Sequence, residues 1–535
     1  MTITPDTGSP DSAGTPTASP APAASPAPAA PSASPAVPAP GHPREVIQAV
    51  IGRHWLACGL LAFVEVGVAQ ALAGERLGVA RLAARCHADP DSLTWLLRAM
   101  APAGLVAADG DEWYLLPPGE ALVDDRPDSL QSTVWRHGDP AYGQMLRTLP
   151  DNVASRPAAV PTFSPIGAAL ADGGGTDATD AASPSTTGGE TMDARRHILT
   201  MLNAFGDFAA LLVAARQDWA GHLYDGPLPL LDLAGRLGAP PGDIEVIAHA
   251  LVELGVVASS PEEGYALTDA GRTLHDDRPD SMRTAVLMGA DRVWWEAMWS
   301  LSTAVRTGRP SLPPPYRSGY EYLADNPDAQ HLFDRFMTHR SAPIAERLGA
   351  WATTATVPDG SVVVDVGGGR GTLLAAVLSA RDTCRGVLVE RDVVIPQARA
   401  YLAGHGVAGR CELVAGDFFT DLPAARDVYL LGSVLHNWGD TDALRLLRAV
   451  RAAIGGGSSR LLCVEALLPE RPRSAASHNA LLYGINLRMM SLFPQGHERT
   501  GTEYEALLRE AGFTVSSTAS LPHGLTLVTA EPAGT

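Results

Sequence analysis

Three side chains suited to moving a proton follow apolar runs late in the chain: His436 in LHNWGD, Glu465 in CVEALLP and Glu498 in QGHERT. If their loops meet at one rim of a sheet, an imidazole lies between two carboxylates. A histidine of ordinary pKa, about 6.5, takes a proton near neutral pH, and a carboxylate on its other ring nitrogen fixes the tautomer and steadies the imidazolium. The adjacent His497 has no comparable pattern around it and is expected at the surface. No metal is expected, because Cys58, Cys86, Cys384, Cys411 and Cys463 are scattered, with no CxxC pair and no Cys/His cluster at zinc spacing.

A second group has the pattern of a nucleotide site. Asp365 ends an apolar run and is followed by a turn containing Gly367, Gly369 and Gly371, where backbone without Cβ atoms lets a ligand approach closely. The spacing is GxGxG, with Thr372 where a dinucleotide fingerprint has its last glycine, and this disfavours NAD. Glu390 ends the next apolar run, placed to accept both hydroxyls of a ribose. Asp417 and Phe418 follow the third run, where a carboxylate and a ring face can meet an adenine.

The elements that must carry these groups follow from the patterning. From about Ser361 the runs VVVDV, GVLVE, CELVAGD, DVYLLGSVL, RLLCVEALL and LTLVTAEP alternate with helical stretches. Such runs predict an α/β fold with an open, mainly parallel, Rossmann-like sheet over 346–535, ligands lying at the carboxyl ends of its strands. Upstream, the order long helix, helix, turn, helix, short hairpin is that of a winged helix, and it occurs twice, over 43–150 and 193–345. The hexapeptide DDRPDS, at Asp124–Ser129 and again at Asp276–Ser281, marks the two stretches as tandem copies of one mainly α module. Residues 1–42, rich in proline, alanine and serine, read as a disordered arm, and 151–192, with GGGTDATDAASPSTTGG, as a flexible linker.

In this order, the motifs from about Arg195 to the end resemble the plant-type and actinobacterial small-molecule O-methyltransferases, which use S-adenosylmethionine (SAM) and have a class I methyltransferase domain behind a winged-helix dimerisation domain. The resemblance implies that Asp365 and the glycine turn hold the methionine part of SAM, Glu390 the ribose, and Asp417 and Phe418 the adenine, with Ser341 reaching SAM from the helical domain. It makes His436 the general base, flanked by Glu465 and Glu498, for direct displacement on a phenolic hydroxyl of a small aromatic secondary metabolite. Trp295, Phe333, Met337 and Met489 match positions that line an aromatic acceptor pocket. Gly432 is a departure, since relatives commonly carry a lysine there. The resemblance also implies a homodimer, unless the first copy of the module stands in for the partner's helical domain and leaves a monomer.

Composition bounds the alternatives. With 46% hydrophobic and 19% charged residues the chain can bury sizeable cores. A net charge of -19, its basic residues all arginine, repels nucleic acid, and the second helices of both winged-helix copies are apolar or acidic. They are expected to pack rather than to read DNA, against the different-class alternative of a DNA-binding or SAM-sensing regulator. Trp55 to Ala73 is the most lipid-like stretch, but Glu65 and Gln70 interrupt it, so it reads as a buried helix and no membrane partner is expected. Without a basic, then apolar amino-terminal segment, a cytoplasmic location is expected. A C- or N-methyltransferase, or a non-methylating enzyme on the same fold, remains as the nearer alternative.

Overall fold

Each module is built on a long helix that is apolar over much of its length, a composition that is stable only when most of the helix is covered. In a computed structural model, which describes residues 42–155, 186–352, 357–454, 459–470, 479–493, 495–521 and 525–534, these helices are α1 (Pro43–Val66) and α2 (Thr186–Arg216). Both are long and apolar enough to cross a membrane, yet 78% of the relevant window of α1 and 67% of that of α2 is buried inside the protein. The apolar stretch anticipated from Trp55 to Ala73 is broken at Gly67, whose φ of 84° ends α1 before a short helix at Val68–Leu72. The expected arm lies outside the described residues, as does most of the linker. The ends of the linker, residues 151–155 and 186–192, are helical, which corrects the expected boundaries.

The two modules share an order of elements, although a two-residue strand, Leu77–Gly78, makes the first module's sheet three-stranded and the second's has two strands. In the first, helices Val79–Cys86 and Pro90–Met100 precede the antiparallel hairpin of Val106–Asp109 and Glu112–Leu115. Leu230–Leu237, Pro241–Glu253 and the hairpin of Val257–Ser260 and Gly264–Leu267 take their places in the second. Gly119 and Gly271 occupy matching positions, where an added Cβ would lie 2.2 Å from the Leu105 carbonyl oxygen and 2.1 Å from that of Val256. The modules pack with reciprocal contacts. α1 touches α2 and the second module's helices Asp269–Arg272 and Leu301–Thr307, while α2 touches the first module's Pro117–Glu120 and Leu149–Ser155. At one end Arg306 donates to the Glu65 carbonyl, and at the other Arg216 donates to Asp151 at 3.2 Å. One apolar core runs through both modules and takes in Tyr483 and Leu487 from beyond the sheet's main strands.

Helix α3 (Arg292–Trp299) belongs to the second module, and α4 (Pro327–Trp351) leads out of it. The expected domain border at 345/346 therefore falls inside a continuous helix. The main strands of the sheet are β1 (Val362–Val366), β2 (Arg385–Glu390), β3 (Cys411–Ala415), β4 (Val428–Gly432), β5 (Arg460–Leu468), β6 (Phe513–Ser520) and β7 (Leu525–Pro532), and a two-residue strand, Arg499–Thr500, pairs in parallel with the end of β5. The order of the main strands is 3-2-1-4-5-7-6, with β7 antiparallel to β5 and β6 and the other pairings parallel. The strand order reverses between β1 and β4, which opens a crevice at their carboxyl ends. Helix α5 (Asn479–Leu492) closes over that end and packs on α1. Glycines allow the close approach: a Cβ on Gly59 would lie 2.6 Å from Leu487, and one on Gly484 would lie 3.0 Å from the Gly52 carbonyl oxygen.

Candidate active site

The glycine turn after β1 is built around one carboxylate. Asp365 is 1% exposed, and among the described residues neither of its side-chain oxygens makes a well-formed hydrogen bond, the Leu374 backbone offering only a weak approach. Burial, and then the nearby charge of Glu390, push its pKa up to about 7. A Cβ on Gly368 would lie 2.2 Å from that carboxylate, so only glycine lets the turn fold over it. Gly367, Gly369 and Gly371 have φ of 66°, 58° and 80°, the left-handed region that side chains disfavour. Glu390 ends β2 and accepts from the backbone N–H of Gly369 at 3.1 Å and of Arg391 at 2.8 Å. Asp417, exposed after β3, accepts from the Phe419 N–H at 2.9 Å.

Asp365, Gly367, Gly368, Gly369, Glu390 and Asp417, with Phe418 and Ser341, line a cavity of about 780 Å³ that also holds His436, Phe333, Met337 and Met489, whereas Gly371, expected at the cofactor, lies outside that lining, at the start of the helix Thr372–Ala380 and against Leu402. The buried Asp365 carboxylate suits an ammonium group, and Glu390, at the end of β2, and Asp417, two residues beyond β3, bring two more carboxylates to neighbouring strand ends beside the cavity, where the hydroxyls and amino group of a nucleoside can meet them. The donor set therefore fits an amino-acid nucleoside such as SAM. Gly432 also lines the cavity. A Cβ there would lie 2.4 Å from Leu373, so no larger side chain fits without a shift of that leucine.

The proton-moving trio meets at the same rim. His436 is 5% exposed, and its Nδ1 lies 2.7 Å from Glu498 Oε1 and 3.9 Å from Glu465 Oε2. Burial alone would lower the imidazole pKa, but the charge and hydrogen bond of Glu498, followed by the charge of Glu465, outweigh it and raise the pKa above its ordinary value. Glu498 opposes its own burial through His436 and stays below the usual carboxylate range. Burial pushes Glu465 up. Glu465 Oε1 accepts from the N–H groups of Val434 and Leu435, at 3.1 and 2.9 Å, and so fixes the loop that presents the imidazole. The three donor atoms lie within 4.8 Å of one another, close enough for a cation. However, Nδ1 is taken by Glu498 and Glu465 Oε1 by two backbone donors, which organises the trio around a proton.

Two expectations need correction. Trp295 does not line the cavity. It is 3% exposed in the core between the modules, stacked on His54 at 5.1 Å and on Trp299 at 5.3 Å, because one residue is about 100° of helix turn and the cavity-facing indole of α3 is Trp294. His497 is 8% exposed rather than at the surface, with its ring 4.3 Å from that of Trp95 in the first module and Nε2 3.5 Å from Asp440. The patterning also gave no sign of Arg340 and Arg488, or of Trp55 from the first module, all of which line the cavity. Only an arginine among apolar neighbours, in NLRMM, hinted at Arg488.

This sheet, with a glycine turn below a buried acid and a histidine between two carboxylates, defines a class I methyltransferase. An O-methyltransferase domain family matches residues 299–514. The mitomycin biosynthesis 6-O-methyltransferase of Streptomyces lavendulae is 34% identical over 59% of this chain and 87% of its own length. The aclacinomycin 10-hydroxylase of Streptomyces purpurascens is 35% identical over 58% of this chain and 81% of its own. Among solved structures, a methyltransferase of calicheamicin biosynthesis in its S-adenosylhomocysteine-bound form superposes with a TM-score of 0.55, at 29% identity, over 64% of this chain and 99% of that one. The chain belongs to the SAM-dependent O-methyltransferases, and SAM is its cofactor.

Proposed function

We propose that the protein methylates a phenolic hydroxyl of a small aromatic metabolite, with His436 as the base. The observation that carries this reading is the 2.7 Å contact between His436 Nδ1 and Glu498, which leaves Nε2 as the nitrogen available to the cavity the ring lines. SAM supplies a methyl group on a cationic sulfonium, a capable leaving group, so the chain's own task is to align the acceptor and remove its proton. A phenol of ordinary pKa, about 10, is a poor nucleophile at neutral pH. His436 takes its proton, and Glu498 stabilises the resulting imidazolium. Asp365, the glycine turn, Glu390, Asp417, Phe418 and Ser341 hold the cofactor, while Phe333, Met337 and Met489 flank a flat acceptor. Mitomycin and aclacinomycin, named for two of the relatives, support an acceptor from antibiotic biosynthesis.

The test is incubation with methyl-labelled SAM and a panel of phenols, followed by mass spectrometry of the products. Label is expected on oxygen, and His436→Ala should lower kcat by about 100-fold or more. Unlabelled but altered acceptor would overturn the assignment in favour of chemistry like that of the hydroxylase relative. Label on carbon or nitrogen, with His436→Ala fully active, would point to the C- or N-methylation alternative.

The reciprocal packing of the modules supports a second part of the reading. The first module, 43–150, takes the place of a partner's helical domain, 193–345 is its mate, and the chain works as a monomer.

A further inference from the structure

Arg488 is a buried cation in the lining of the acceptor cavity, with no ion pair among the described residues. It is 8% exposed, it projects from α5, and its Nη1 has no hydrogen-bond partner among the described residues. Its guanidinium lies over the Trp294 ring at 4.6 Å and over the Trp55 ring at 5.2 Å. Trp294 comes from the second module and Trp55 from the first, so both copies build the clamp. The carboxylate of Asp291, the one nearby charge that favours the ionised form, is already engaged by the Tyr322 hydroxyl at 2.7 Å and by two backbone N–H groups. Burial pulls Arg488 down only to about 10, so it keeps its charge at neutral pH. Arg340 lines the same cavity.

A buried, unpaired charge is destabilising, and indoles weaken that penalty without removing it. With its faces against rings, the guanidinium has only its N–H edge to offer, and that edge matches the two oxygens of a carboxylate in plane. We propose that the acceptor carries a carboxylate, which Arg488 grips between Trp55 and Trp294 while the hydroxyl is presented to His436. The proposal rests on the reading of this cavity as an aromatic acceptor site.

The test is calorimetry on the full chain loaded with S-adenosylhomocysteine, titrated with 1-naphthoate and with its methyl ester. The acid should bind about 10- to 100-fold more tightly than the ester. Arg488→Gln should abolish that preference, and Arg488→Lys should keep part of it. Trp55→Phe, which retains a ring, should keep the preference and weaken binding of both ligands. Equal affinity of the unaltered protein for acid and ester would overturn the proposal without needing any variant to fold, as would a preference that survives in Arg488→Gln. Turnover of hydroxynaphthoate methyl esters measures the broader reading separately: if the esters are methylated as well as the acids, the methyltransferase assignment stands and the carboxylate inference falls.

Discussion

In the proposed role of holding the ammonium group of SAM, Asp365 would act as a carboxylate. In the free protein its carboxyl, held at about 7 by burial and by Glu390, is substantially protonated at neutral pH. An ammonium group brought against its two oxygens favours the carboxylate and lowers that pKa. Binding of SAM below pH 7 should then release close to one proton, and affinity should fall by about tenfold per pH unit at the acid end. Calorimetry in two buffers of different ionisation enthalpy measures the proton count directly. An affinity flat between about pH 6 and pH 8 would exclude this linkage. Asp365→Asn should lose both the pH dependence and most of the affinity. The histidine runs in the same direction: with its pKa raised above the ordinary value, His436 in the proposed role of base acts only above that pKa, so turnover should climb with pH through that point.

The turn that carries Asp365 depends on one residue without a side chain. Gly368→Ala would push a methyl group into the carboxylate, so cofactor affinity should fall by about tenfold or more with a loss of stability of about 1–3 kcal/mol. Calorimetry and thermal unfolding check both figures, and unchanged affinity would remove the turn from the site. This turn was visible in the sequence because glycine spacing is local, and the central strands were visible because a sheet covered on both faces demands continuous apolar runs. β6 was not: FTVSSTAS is serine- and threonine-rich, lies at the sheet edge and exposes most of its residues, so it has no such run. The choice between Trp294 and Trp295 was hidden for another reason. Both are apolar neighbours on α3, and it is tertiary packing on His54 of α1 and Phe208 of α2 that turns Trp295 into the core between the modules. Arg488 and Trp55 meet through tertiary packing between segments far apart in the chain, which no local pattern encodes.

The whole molecule has already used the surfaces with which one module pairs with another. α1 meets α2 through reciprocal contacts, and on its other side α1 presses Gly52, Trp55 and Gly59 against α5. The matching stretch of α2 carries Asn203, exposed, and Gly206, where an added Cβ would meet nothing within 4 Å. A second α5 has nothing apolar to grip there. Among the described residues, the exposed large apolar side chains are Trp135, Met192, Tyr224, Leu231 and Val393, on separate elements, whereas a stable subunit interface buries about 1,200 Å² or more. Light scattering on the full chain should therefore give a single-chain mass of 55.9 kDa at all working concentrations. Removal of residues 1–190 would bare the apolar face of α2 and strip Trp55 from the cavity. The shortened protein should pair or aggregate, and any surviving turnover should show a raised KM for the acceptor. A two-chain mass for the full protein would mean that the first module does not replace a partner, and its contribution of Trp55 to the cavity would then need another explanation.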